Sequence, residues 1–154
     1  MKNILAVDPG LGGGMAWTKK PENTEMCQSM PDTETDIIDL LRSIVLNCGI
    51  TEAYIEEVGK GVMPGRAIAM IKLNVNATVI RTALSCFGVR VVMVRPQQWQ
   101  QYFALGKRRD CATDTIWKNK LKSEAQRRFP NCNITLKTSD ALLLLDFARH
   151  QLSV

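Results

Sequence analysis

Residues 3–17 read Asn-Ile-Leu-Ala-Val-Asp-Pro-Gly-Leu-Gly-Gly-Gly-Met-Ala-Trp, and the fold follows from how this stretch is read. Ile4, Leu5, Ala6 and Val7 are apolar at both parities, the pattern of a strand covered on both faces and so central in its sheet. Pro9 to Gly14 is turn chemistry, and residues 14–17 read as a second strand folding back. The central strand therefore ends on a carboxylate, Asp8, at the lip of a glycine-rich turn.

Working outward, residues 25–30 form a weaker third strand. Residues 32–47 are helical, with Ile37, Leu40, Leu41, Ile44 and Val45 at helical spacing; Asp32 or Thr33 suits the N-cap and Gly49 the end. Residues 52–56 form a short fourth strand. A long helix spans 64–86, with Ile68, Ile71, Val75, Val79 and Ala83 as one stripe. The β-branched run at 89–94 is a fifth strand. A helix starts at Pro96 and reaches Tyr102, 106–114 is a loop, 115–129 is a basic helix and 138–152 is the last helix. Three strands followed by alternating helices and strands predict one α/β domain over residues 1–154, a mixed five-stranded sheet with helices on both faces.

Composition agrees with a globular chain: 154 residues, 45% hydrophobic and 23% charged. No apolar run reaches about 18 residues, so no membrane span is expected, and the N-terminus lacks the long apolar stretch of a signal peptide. Cys27, Cys48, Cys86, Cys111 and Cys132 are scattered, odd in number and form no Cys-x-x-Cys. A disulfide framework or zinc site is not expected, and a reducing compartment is. Charge is divided unevenly. Residues 1–59 hold 4 basic and 10 acidic residues and residues 60–154 hold 16 basic and 5 acidic, so the second half carries the signature of a polyanionic partner.

Three carboxylates stand out by position. Asp8 ends the first strand, Glu56 ends the fourth, and Asp140 opens the last helix on the face it shares with Leu143, Leu144, Phe147 and Ala148. Ligand sites in open α/β sheets gather beyond the carboxyl ends of the strands, where Asp8 and Glu56 project if strands one and four are parallel neighbours. Glu57 points the other way. Three hard oxygen donors suit Mg²⁺ or Mn²⁺, and two such ions about 3.5–4 Å apart serve phosphodiester hydrolysis. Plainer readings remain: Asp8 as a turn former, and Asp140 as a first-turn acid favoured by the helix N-terminus. Asp146 is expected to pair with Arg149 or His150.

The segments AVDPGLGGGMAW, YIEEVG, GRAIAM, VRPQQWQQYF, KNKLKSEAQRRFP and SDALLLLDFAR, in that order, resemble the RuvC-type Holliday-junction resolvases of the RNase H-like superfamily. The later segments are most similar to the chloroplast and phage branch. The resemblance spans nearly the whole chain. It implies an RNase H-like fold, metal-binding acids at Asp8, Glu56 and Asp140, and two Mg²⁺ or Mn²⁺ ions per site with no small-molecule cofactor. Where the family carries a fourth acid or His, three residues before the last Asp, this chain has Lys137. A protonated lysine ligates no metal; it suits contact with the scissile phosphate or the attacking water instead. The family's bulky wedge after the second acid has no clear counterpart, with Met63 the nearest candidate.

Basic residues cluster between Lys107 and Arg128. Lys107, Arg108, Arg109, Lys118, Lys120 and Lys122, with Lys60 and Arg66 after the second acid, are the candidate phosphate contacts; Arg127 and Arg128 continue the group. Any single lysine also fits a solvated helix face. Trp99, Tyr102 and Trp117 read as packing residues. A four-way junction has two-fold symmetry, so paired cuts call for a homodimer, and the resemblance puts the long helix at its interface, although the same stripe also suits core packing. The resemblance thus implies a junction-resolving endodeoxyribonuclease acting on branched DNA in a bacterial or phage-infected cytoplasm or an organellar nucleoid, the alternative being a junction-binding protein with weakened or lost cleavage.

Overall fold

β1, Ile4–Asp8, is the middle strand of a five-stranded sheet of order β3-β2-β1-β4-β5. The computed structural model describes residues 3–19, 22–59 and 65–153. β2 (Gly14–Lys19) and β3 (Thr24–Ser29) complete an antiparallel meander with β1. β4 (Glu52–Glu56) lies parallel to β1, and β5 (Arg90–Val94) lies parallel to β4. The helices are α1 (Glu34–Cys48), α2 (Ala67–Cys86), α3 (Pro96–Tyr102), α4 (Asp114–Arg128) and α5 (Ser139–Gln151). This is the expected mixed sheet covered on both faces.

Both-parity apolarity in β1 now has a structural cause. Ile4 and Ala6 enter a core with α3, α4 and α5, built around Trp99, Leu121 and the leucines of α5. Leu5 and Val7 enter a second core beneath α1 and the C-terminal half of α2, with Ile37, Leu41, Ile80 and Leu84. Thr33 caps α1, its hydroxyl accepting from the Asp36 N–H, and Gly49 closes that helix at φ +59°, where a side chain would be strained.

α2 departs from expectation. Its stripe divides: Ala83 joins the core, but Ile68, Ile71 and Val75 are 73%, 62% and 46% exposed. By length and composition alone this 20-residue helix is apolar enough to cross a membrane, with a mean hydropathy of 1.2, so the expectation of no such stretch is not met. Lys72 and Arg81 interrupt it, however, and Ala77, Ile80, Ala83 and Leu84 bury its C-terminal half in the core. What remains is an outward apolar face on an otherwise anchored helix.

Candidate active site

Strand alternation sets the site. On β1 the series Ile4, Ala6 faces the α5 side, and Asp8 continues it. On β4, Tyr54 faces the same side while Ala53 and Ile55 face the other, so Glu56 follows Tyr54. Val7 pairs with Ile55 in the parallel register, which brings Asp8 and Glu56 level one residue later, at the carboxyl ends of adjacent strands. α5 packs on β1, β2 and β4, and Asp140 is its second residue. These placements put the three carboxylates predicted from sequence at one rim of the sheet. Glu57 leaves by the opposite face and pairs with Arg95 at 3.5 Å.

Burial and the neighbouring carboxylates act together on their protonation. Burial pushes the Asp8 carboxyl well above the usual range, Glu56 and Asp140 push it further, and Lys118 opposes them. Burial raises Glu56 to about 7, against a hydrogen bond from the Trp99 indole, with Asp140 adding to the rise. Asp140 is raised by burial and relieved by the Ser139 hydroxyl, which donates to Oδ1 at 3.1 Å, and by Lys118. Three mutually repelling carboxylates in a poorly hydrated rim call for positive charge, and an all-oxygen donor set fits a hard divalent cation. As the side chains stand, no three Asp, Glu, His or Cys among the described residues are drawn closely enough together to hold an ion. The donors fit a metal in chemistry; they are neighbours in charge rather than an assembled ligand shell.

The glycine-rich turn exists because backbone runs against it. A Cβ on Gly13 would meet the Asp8 carbonyl oxygen at 2.2 Å and the Asp8 carboxyl carbon at 2.9 Å. Gly10, at φ +99°, donates its N–H to the Asn76 side-chain oxygen at 2.9 Å and lies against Leu73. The turn carrying Asp8 is thus pinned to α2. Between them opens a cavity of about 690 Å³, whose lining includes Asp8, Asp32, Lys72 and Lys118.

The basic residues divide into two groups. Lys118, Lys120 and Lys122 lie on α4, and Lys118 reaches the acids. Asp114 is held below the usual carboxylate range by a hydrogen bond from Arg108, with Arg66 and Lys118 contributing charge. Arg66, Arg108 and Lys118 therefore lie around Asp114, and of the three it is Lys118 that also acts on Asp8 and Asp140. Arg108 is tied to Asp114 and Arg109 stands 3.8 Å from Asp110, while Lys107 is exposed. Arg127 and Arg128 both pair with Glu124 at 2.6 Å, and Arg128 also holds Asp146 at 2.6 Å. That corrects the expected partner of Asp146, since Arg149 instead pairs with Glu25 at 2.9 Å. The backbone of Lys137 borders β2 beside Asp8, and its residue is exposed. Lys60 and Met63 lie outside the described residues.

Trp99 is what the sequence reading missed. It is fully buried, as expected of a packing residue, but its Nε1–H donates to Glu56 Oε2 at 2.8 Å. The usable signal was its place one turn into a helix that opens with Pro96 directly after β5, the strand neighbouring Glu56.

The sequence matches no protein-family model and no curated protein. Among solved structures the chain is similar to Thermus thermophilus RuvC, at TM-score 0.59 and 14% identity over 97% of this chain and 96% of that one. It is also similar to T. thermophilus RuvC in complex with a Holliday junction substrate, at TM-score 0.58 and 12% identity over 98% and 96%. Identity this low speaks to fold. Over nearly its whole length, this chain has the RNase H-like fold of the RuvC resolvases.

Proposed function

We propose that the protein is a structure-selective endodeoxyribonuclease that resolves four-way DNA junctions by metal-dependent phosphodiester hydrolysis. The observation that carries the reading is the placement of Asp8, Glu56 and Asp140 at one sheet rim, with Lys118 acting on two of them. Asp8, Glu56 and Asp140 would hold Mg²⁺ or Mn²⁺, which supplies Lewis-acid activation of water and neutralises charge developing on phosphate. Lys118, beside Asp8 and Asp140, balances their charge and meets a phosphate entering the rim. Lys137, on the segment leading into α5, adds a second cation for the scissile phosphate. Lys107, Arg109, Lys120 and Lys122 track the flanking backbone, which makes binding fall with salt, and Lys60 belongs to the same proposal.

Two symmetric nicks require two sites related by a two-fold axis. The exposed Ile68, Ile71 and Val75 of α2, beside an apolar groove of about 450 Å³ that includes Met70, Asn74 and Val79, would form the homodimer contact. Asn76 of the same helix grips the turn behind Asp8, so the dimer face and the site share one rigid element. A bacterial, phage-infected or organellar nucleoid setting fits this activity.

Two observations favour a second reading, a junction-binding protein with weakened cleavage: the acids are not gathered as a formed ligand shell among the described residues, and Lys137 stands where the resemblance would put a fourth donor. Incubating the protein with a four-way junction, a linear duplex and an RNA–DNA hybrid, each with Mg²⁺, Mn²⁺ or chelator, separates these readings. The nuclease reading expects paired nicks in the junction alone, with either ion and none in chelator. Tight junction binding with no nicks under any condition supports the second.

A further inference from the structure

We infer that Trp99 is the positioning residue for Glu56: its indole N–H fixes one carboxylate oxygen and thereby assigns the other to metal or water. The inference rests on the nuclease reading above and deepens it.

The arrangement follows from the chain's local chemistry. Glu56 and Val94 are register partners at the ends of β4 and β5, and the Glu57 N–H donates to the Val94 carbonyl at 2.7 Å, which ties the two strand ends together. Arg95 then turns the chain, and Pro96 opens α3 with its φ preset for a helix. Gln98 closes this start by accepting the Arg95 N–H at 2.9 Å. Trp99, the fourth residue of the helix, is thereby carried under the end of β4. Its ring is clamped edge-on by Phe103, 6.2 Å between centroids, within the core of α4 and α5 side chains.

An indole has one donor and no acceptor. Fully buried, that donor needs a partner, and it takes Glu56 Oε2 at 2.8 Å. A glutamate at a strand end otherwise has three rotatable bonds, and a ligand that must be ordered as it binds costs affinity. Here one bond to a core-locked ring removes most of that freedom before any ion arrives. The donor is neutral, so it orients Glu56 without cancelling its charge, as an arginine or lysine in this place would. Donors of this kind around metal ligands typically matter by about 10–100-fold in affinity or activity.

Trp99→Phe removes the donor and keeps an aromatic ring. Calorimetric titration of intact wild-type and variant protein with Mn²⁺ is expected to show affinity lowered about 10-fold or more, with junction Kd in Ca²⁺ unchanged. Phe103→Leu, which loosens the clamp and leaves the indole donor in place, is expected to lower the melting temperature while Mn²⁺ affinity stays within about two-fold of wild type. In the NMR spectrum, the indole N–H signal missing from Trp99→Phe is expected to broaden on Mn²⁺ addition before those of Trp17 and Trp117. Equal Mn²⁺ affinity in wild type and Trp99→Phe overturns the inference and leaves the nuclease reading standing. Parallel losses in Trp99→Phe and Phe103→Leu, tracking melting temperature, also overturn it by reducing Trp99 to packing. Wild-type protein that takes up no Mn²⁺ and cuts nothing overturns the nuclease reading itself.

Discussion

Gly14 and Lys137 touch through their backbones: a β-carbon on Gly14 would lie 2.7 Å from the Lys137 carbonyl oxygen, and 2.7 Å from that of Gln28. Gly14 is the antiparallel partner of Asp8. The contact therefore sets how closely the segment leading to Asp140 approaches the strand that ends in Asp8. Gly14→Ala has to move one backbone or the other. Unfolding in urea should show a loss of about 1–3 kcal/mol, and junction cleavage should fall by more than the lost folded fraction accounts for. A variant with wild-type stability and cleavage would remove this contact from the account.

The carboxylates give stability a distinctive pH dependence. Glu56 sits at about 7 in the fold against an ordinary 4.5, so the folded chain holds this proton more tightly than the unfolded one. That contribution is complete below about pH 4.5 and is lost as pH rises through about 7, an effect of at most roughly 3 kcal/mol. Asp8 and Asp140 shift in the same direction. In chelator, the melting temperature should decline from pH 5 to pH 8, and Glu56→Gln should flatten that slope. Mn²⁺ should stabilise the protein more at pH 8 than at pH 5, because its ligands must be deprotonated.

Lys118 lowers both Asp8 and Asp140. Lys118→Met should move the acid limb of the cleavage–pH profile upward, because the exposed ammonium that favours the ionised forms of Asp8 and Asp140 is gone. The salt slope of junction binding should also shrink by about one phosphate's worth. An unmoved acid limb would mean that this ammonium does not influence the acids in solution.

Ile71 is 62% exposed at the centre of the outward face of α2. Ile71→Glu should convert a dimer to a monomer in sedimentation experiments at micromolar concentration, with the fold intact by circular dichroism. Cleavage should change from paired cuts to slow unpaired nicks. A wild-type protein that sediments as a monomer at high concentration would place the two-fold axis elsewhere or remove it.

How much of this was legible beforehand differs by residue. Asp8, Glu56 and Asp140 could be placed together because strand parity and helical periodicity are local rules: Ile4 and Ala6 predict where Asp8 points, and Leu143 and Phe147 predict the face of Asp140. Long-range pairings were harder to read. Asp146 met Arg128 rather than Arg149, because the approach of α4 to α5 is tertiary geometry, whereas the pairs of Glu124 with Arg127 and Arg128 follow the local i,i+3 and i,i+4 spacing of one helix. The stripe on α2 looked continuous in sequence, whereas only its C-terminal half packs into the core and its N-terminal half stays exposed. Trp99 fell between categories: its burial was readable from hydrophobicity, but the partner of its single donor was not.

The account turns on carboxylates that do chemistry together, and Asp8→Asn tests it most directly, since it deletes one negative charge and preserves shape. Nicking of a four-way junction in Mn²⁺ should disappear in this variant, by at least about a thousandfold, or roughly 4 kcal/mol in transition-state free energy, while junction binding in Ca²⁺ stays at wild-type strength or tightens. Nicking that survives Asp8→Asn, or wild-type nicking that persists in excess chelator, would contradict it.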